Sequence, residues 1–524
     1  MRTGHETARG RRWSARVAMV LAGGALALAG CGGDDDEPAG DSAGSPATKG
    51  APAEITVALS DAPAALDPQA AVEPPLQAVT DNIYEALMGF TEEAELEPVL
   101  AADAPERVDP QTWRFKIRDG VEFTNGEPLD AEAVAFSINR IIDPKLKSTW
   151  TAGAVGDNIK EARVVDPTTV EVVTKEPDPL LPNRTVFIAI LPPKYFETET
   201  PDDAAANPVG TGPFKWVEGA GAGPIVLERN PDYWGEAPEL EKVTFRSIPD
   251  LGTRLSALKA GEVDLITELS PDAADDVPKL FTSPSRENFV VRLKNDGGMT
   301  ADPNVRRALN LAVDKESLTQ DLMAGYGEVS RCQPIPPTTF GYNDSLEAVG
   351  YDPEEAKRLI QEAGVEGETI RLVSGAFYQK GGEIAQVLGA FWTEIGLKVD
   401  VKVLDLDRYV PVYYESKGDD RPEAIYVATS EDLFDAISAQ TKGLAADSYP
   451  NPEVHGLFDD AAGTDDRAER ETLLNEALGI ACEDQANVDL INPQDLWGGA
   501  DTIEWTPRPD DQQGINFAGV KVTG

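Results

Sequence analysis

The chain has 524 residues, with 46 Lys and Arg against 92 Asp and Glu, for a formal charge of −46. So acidic a balance lacks the basic footprint that nucleic-acid binding requires, and with only two histidines most triad, acid–base and zinc designs lose their residues. The length exceeds what one hydrophobic core usually fills and implies two or three lobes.

The N-terminus carries Arg2, Arg9, Arg11, Arg12 and Arg16 against Glu6, and Val17 to Leu28 is apolar or glycine throughout. That run is too short to span a bilayer and reads as a secretory signal. Arg11-Arg12 leaves the export route open between the general and the twin-arginine pathways. Leu28-Ala29-Gly30-Cys31 resembles the lipobox of bacterial lipoproteins, which implies cleavage before Cys31 and its acylation. Gly32 to Ala53 is mostly Gly, Ala, Ser, Pro and Asp without an apolar period. It reads as a tether that holds a globular body off a membrane.

From residue 54 onward short elements alternate in an α/β manner. "EITVAL" (54–59) reads as a first strand. "RFKI" and "VEF" around Asp119-Gly120, and "RVVDPTTVEVVT" (163–174) around Asp166-Pro167, read as hairpins. In "DAEAVAFSINRII", Val134, Ile138, Ile141 and Ile142 share a helical face. "LSALKAGEVDLI" (255–266) steps from helix to strand at Gly261. "YDPEEAKRLIQEAG" places Asp352 as cap, Pro353 at the first helical position, Glu355 at the third and Gly364 at the end. "EIAQVLGAFWTEIGLKVDVKVL" puts Ile384, Val387, Leu388, Phe391 and Ile395 on one stripe and ends its helix at Gly396. After Cys31 two cysteines remain, Cys332 and Cys482. Outside the cytoplasm an even remainder suggests one disulfide, two buried free thiols being the alternative.

Several of these segments, in order, resemble solute-binding proteins of the oligopeptide/dipeptide/nickel class (family 5) of ABC importers. "DNIYEALMGF" (81–90) is similar to that family's early helix, and "WRFKIRDGVEFTNGEPLDAEAVAFSINRI" (113–141) resembles its signature stretch. "NPVGTGPFKWVE" (207–218), "RNPDYWG" (229–235), "LKAGEVD" (258–264), "DPNVRRALNLAVDKE" (302–316), "EIGLKVDV" (394–401) and "SYPNPEVHGLFDDA" (448–461) follow in family order. The likeness spans roughly residues 54 to 520. It implies an α/β fold of the periplasmic-binding-protein type II (cluster C) kind, a two-lobed clamp with an extra inserted subdomain. Lobe I is then discontinuous, 54–92 with 205–290 and 490–524. The inserted subdomain is 93–204 and lobe II 291–489, after a signal peptide of 1–30 and a tether of 31–53.

The function implied is that of a monomeric lipoprotein on the outer face of the membrane. It captures a peptide or similar small solute by hinge closure and passes it to an ABC permease and its ATPase. In relatives a lobe II carboxylate pairs with the peptide α-ammonium. The matching stretch here is "YVATSEDLFDAISAQ" (426–440), where Asp432 takes that position although Ala436 replaces the family's Pro. Tyr426 and Phe434 are candidate wall residues. Gly210, Gly212 and Pro213 read as shaping a crossover near the hinge. "RNPDYWG" reads first as scaffold, with Tyr233 and Trp234 as candidates to line a pocket. Scarce histidine disfavours bare metal or haem, and the lack of a basic cluster disfavours strongly anionic ligands. No cofactor and no enzymatic activity are expected, since Gly-x-Ser-x-Gly, P-loop and His-Glu-x-x-His motifs are missing. A paired-carboxylate hydrolase is the enzymatic rival. The same fold used in cell-envelope glycolipid assembly or signalling is the non-transport one.

Overall fold

The computed structural model describes residues 53–63, 65–70, 74–146, 155–156, 158–220, 223–430, 433–464, 466–509 and 515–523. Cys31, with the signal and tether, and Asp432 lie outside the described residues.

The largest feature is a 12-stranded mixed sheet with the long strand Asn487–Gly499 near its middle. The first part of this strand pairs antiparallel with Glu287–Leu293, through Asn487 to Ile491. Its second part pairs with Lys279–Pro284 and Leu265–Ile266, through Gln494 to Gly499. One strand therefore belongs to both halves of the molecule. On one side the order continues through Ala424–Ser430, Thr369–Gly375 and Lys398–Leu404. On the other it continues through Glu54–Leu59, Lys242–Ser247, Ile225–Arg229 and Phe214–Glu218. Each half has its own core. Phe289, Leu372, Trp392 and Tyr426 anchor the first, and Val57, Phe214, Phe245 and Phe517 the second, all essentially shut from solvent.

A separate four-stranded antiparallel sheet is built from Glu106–Asp109, Thr112–Lys116, Thr169–Thr174 and Ile159–Asp166. The helix Ala131–Ile141 covers it, burying Val134, Ile138 and Ile141 in a third core with Phe115 and Val172. The Asp130 side chain caps this helix by accepting from the Ala133 N–H at 3.0 Å. Asp352 caps Pro353–Glu362 in the same way, at 2.9 Å from the Glu355 N–H, and Gly364 follows at φ 71°. Gly381–Glu394 buries Ile384, Leu388 and Trp392 before Gly396 turns the chain at φ 105°. Cys332 and Cys482 are joined by a disulfide, Cα atoms 5.3 Å apart. It ties the segment before Ile335 to the helix Arg467–Glu483, whose Leu474 and Leu478 pack against Ile335.

Two sequence expectations are corrected. The Asp119-Gly120 turn forms, with Gly120 at φ 77°, but it does not close a hairpin. Both edges of Thr112–Lys116 are already taken, by Glu106–Asp109 and Thr169–Thr174, so Val121 to Phe123 has no ladder to join. Nor is 81–90 a helix. The helix is Pro74–Thr80, and the carbonyls of Asn82 and Ile83 turn away to accept from the N–H groups of Phe214 and Gly212. That close approach explains Gly210 and Gly212. A Cβ at either would sit 2.0 and 2.7 Å from the Ile83 and Asn82 carbonyl oxygens.

Candidate functional site

Two cavities lie between segments that are distant in sequence. The first, about 350 Å³, is lined by Tyr84, Glu85, Phe90, Phe187, Tyr233 and Arg286, among others. The second, about 820 Å³, is lined by Arg107, Trp113, Thr339, Phe434, Arg467 and Arg470, among others. Phe90 faces the first and Phe434 the second, and their rings meet edge to face with centroids 4.6 Å apart. The two rings form a wall between the cavities. Arg286, fully buried, stands on the first-cavity side with its guanidinium carbon 5.8 Å from the Phe434 ring centre.

Polar contacts also join separate parts of the body. Asn183 Nδ2 donates to the Leu433 carbonyl at 2.9 Å. Lys380, just before the helix Gly381–Glu394, pairs with Asp272, which lies on the Leu265–Ile266 side of the sheet. The cavities are thus bounded by ring contacts and a hydrogen bond, and the Lys380–Asp272 pair, which lines neither, joins the two sides of the sheet elsewhere.

The floor of the first cavity is fixed by Glu85. Its Oε1 accepts from the Tyr233 hydroxyl at 2.8 Å, and its Oε2 from Trp234 Nε1 at 2.8 Å and Thr211 Oγ1 at 2.7 Å. Burial raises the Glu85 pKa, and those three donors with the nearby Arg118 charge oppose the shift. Arg118 lies 4.5 Å from the Trp234 ring centre. The polar ends of Tyr233 and Trp234 are consumed by Glu85. Of the two, only Tyr233 lines the cavity, while Trp234 packs against the core of the four-stranded sheet.

Phe434 lines the second cavity at a left-handed φ of 49° and is 3% exposed. Tyr426 lines neither cavity. It sits within Ala424–Ser430, packed edge to face on Phe289 and Tyr378, and burial raises its pKa. Asp432 lies outside the described residues, between Ser430 and Leu433. Its sequence neighbour Asp435 accepts from the Ile437 N–H at 3.0 Å and pairs with Arg470 at 2.6 Å. Burial lifts Asp435 to about 6 against the pull of Arg470 and Arg467.

Sequence reading missed the arginines. Beyond the N-terminal segment the sequence has no basic run, yet folding brings Arg107 to the same cavity as Arg467 and Arg470. No local signal announces this, because the partners come from opposite ends of the globular body. The one histidine beyond the N-terminal segment, His455, has its Nε2 2.9 Å from the Tyr449 carbonyl oxygen and lines neither cavity.

The model described as bacterial extracellular solute-binding proteins, family 5 Middle, matches residues 95–443. The glutathione-binding protein GsiB of Shigella flexneri serotype 5b is 26% identical over 458 residues, covering 84% of this chain and 88% of that protein. The nickel-binding periplasmic protein of Escherichia coli K12 is 30% identical over 299 residues, 54% of this chain and 56% of that one. Among solved structures, the periplasmic binding protein DppA from Helicobacter pylori, in complex with peptide STSA, superposes with a TM-score of 0.71. It is 24% identical and covers 90% of this chain and 98% of that one. NikA from Brucella suis, in complex with Fe(III)-EDTA, gives 0.76 at 24% identity over 90% and 100%.

Proposed function

We propose that this chain, which belongs to the bacterial extracellular solute-binding proteins, family 5, captures a peptide or peptide-like solute by closure of its two lobes and delivers it to a membrane permease. Its relatives are solute-binding proteins of ABC importers, and its fold is that of the type II periplasmic binding proteins. The observation that carries the reading is the pair of cavities at the junction of separately cored parts. Such a junction is where a clamp buries a ligand. A peptide fits the lining better than a bare metal, since aromatic rings and guanidiniums supply it and His455 is used elsewhere. GsiB is described as glutathione-binding, and the DppA structure as a complex with peptide STSA.

Three finer parts belong to this proposal. The lobes follow the boundaries given above, Cys31 carries the lipid that tethers the protein, and Asp432 pairs with the α-ammonium of the solute. No helix among the described residues is long and apolar enough to cross a membrane. Native mass spectrometry of the mature body, purified without added ligand, tests the reading. A family of additions matching short peptides supports it, and Asp432→Ala then weakens their retention. One discrete non-peptide mass overturns the peptide assignment. An empty protein that ignores peptide libraries favours the envelope role.

A further inference from the structure

The ion pair of Lys380 and Asp272 lines neither cavity, yet it links elements of two different cores. Asp272 sits in the short 3₁₀ turn Pro271–Asp276, whose Ala273 packs with Leu258, Ile266 and Leu269. Lys380 directly precedes the helix Gly381–Glu394, whose Ile384, Leu388 and Trp392 pack with Phe289 and Tyr426. Nothing local favours Lys380 where it stands. Its backbone is left-handed at φ 55°, a conformation that a residue other than glycine keeps only under outside constraint. It fills the N-cap position without a side-chain cap bond, where Ser, Thr, Asp or Asn is preferred. Its positive charge lies at the positive pole of the helix. Three local preferences are set aside, and the interaction that offsets them is made with the other half of the molecule. The turn that carries Lys380 is held from within its own half. The Gly381 N–H donates to the Tyr378 carbonyl at 3.0 Å, and the Ser374 hydroxyl to the Gly381 carbonyl at 2.8 Å. A Cβ at Gly381 would sit 2.5 Å from the Gly375 carbonyl oxygen, so the turn is tightly wound. When the halves part, Lys380 therefore keeps its unfavourable backbone and position and loses Asp272. Its side chain is 15% exposed and that of Asp272 59%, so the pair is less screened than one in open water.

We propose that the Lys380–Asp272 pair is a latch: it forms as the two halves close and sets how long the clamp stays shut on its solute, from outside the cavities. The proposal rests on the reading of capture by lobe closure and names the residues that bias its equilibrium. A contact made only in the closed form supports affinity in proportion to the closed population it adds, and alike for every solute that closure buries. First encounter with the open form does not involve it, so its loss appears in dissociation. Salt weakens it by screening.

The test follows uptake and release of trialanine by stopped-flow tryptophan fluorescence at about 20 and 500 mM sodium chloride, with small-angle scattering of the same proteins without solute. The variants are Lys380→Asp, Asp272→Lys, the reciprocal Lys380→Asp/Asp272→Lys, and Lys380→Gly, which suits the left-handed backbone and removes the charge. At low salt both charge reversals and Lys380→Gly are expected to release trialanine about tenfold faster than wild type, with association within about twofold. Lys380→Gly should do so at a denaturant midpoint equal to or above that of wild type, which a merely structural role would not allow. The reciprocal variant should restore release to within about threefold, and high salt should bring wild type close to the charge reversals. Release at the wild-type rate in both charge reversals overturns the proposal, as does a reciprocal variant that releases as fast as they do. If wild type takes up no trialanine, that counts against peptide capture, and scattering decides the latch. A larger radius of gyration in both charge reversals than in wild type and the reciprocal variant keeps it, and equal radii in all four overturn it.

Discussion

The Phe434 ring reaches across to Phe90 and meets it edge to face at 4.6 Å, from a backbone held at φ 49°. A left-handed conformation costs a residue other than glycine of order 1 kcal/mol or more, so tertiary contact holds it there. The contact includes Arg286 beside the ring and the Asn183 bond to the Leu433 carbonyl. Phe434→Ala removes the wall and the ring contact, worth about 0.5–1.5 kcal/mol beyond area burial. Because the ring joins two parts rather than one core, closure is expected to suffer more than folding. Small-angle scattering should show a larger radius of gyration for the variant, and solute affinity should fall about tenfold. An unchanged radius with unchanged affinity would sink this account.

The Cys332–Cys482 bond closes a loop with a sequence separation of 150. Chain-entropy arguments put its worth at up to about 5 kcal/mol. Both cysteines lie in the half of the molecule that holds Ile335, Leu474 and Leu478. The double variant Cys332→Ser/Cys482→Ser is therefore expected to lower the urea midpoint by an amount that reductant reproduces in the wild type. Solute affinity should stay within a few-fold, because the bond does not tie the parts that line the cavities to one another. A tenfold change in affinity at unchanged secondary structure would contradict that placement.

What could be read from sequence alone followed the range of the physics. Asp130 and Asp352 cap their helices, and Gly364 and Gly396 end theirs, because caps and left-handed turns are decided within a few residues. The Asp119-Gly120 turn was legible for the same reason. Its missing hairpin was not, because strand pairing depends on which neighbours already occupy Thr112–Lys116. Tyr426 looked like a wall residue from its motif and sits instead inside the sheet core, since strand alternation, not motif position, decides which way a side chain faces. The arginine cavity was illegible altogether: Arg107 and Arg470 meet only through tertiary structure. The Glu85 knot lies between these cases. "RNPDYWG" was visible as a unit, but its purpose required seeing Glu85 and Thr211 beside it.

Glu85 receives three donors from two separate segments, so its loss should cost more than its charge suggests. In Glu85→Ala, Tyr233, Trp234 and Thr211 lose their common acceptor, and each stranded buried donor costs about 1–3 kcal/mol. Glu85→Gln keeps one oxygen for Trp234 and Thr211, and the Tyr233 hydroxyl can turn to accept from the new amide. We expect a loss above about 3 kcal/mol for alanine and near 1 kcal/mol for glutamine, read from denaturant titrations. Equal losses in the two variants would show that the negative charge, not the number of acceptors, matters at this point.

Asp495 lies on the shared strand opposite Ser283, where the chain passes between the two halves. Its Oδ2 is shut from solvent without a hydrogen-bond partner among the described residues. Burial, then the charge of Glu287, lifts its pKa to about 8, against a hydrogen bond with Ser285 and the charge of Arg286. The native state therefore holds a proton that the unfolded chain, titrating near 4, has released by neutral pH. Stability from this group is fully present below about pH 4 and is lost as pH rises toward 8, by up to about 1.4 kcal/mol per pH unit. Asp489, lifted by burial to about 7 beside Lys315, and Asp435, at about 6, slope the same way. Asp495→Asn mimics the protonated acid and removes one of these contributions. The variant should match wild type near pH 4, lose stability less steeply as pH rises, and exceed wild type at pH 8.5. Denaturant midpoints measured across that range check it. Parallel curves would mean that Asp495 titrates in the native state as it does in the unfolded chain, with water reaching the crossing strand.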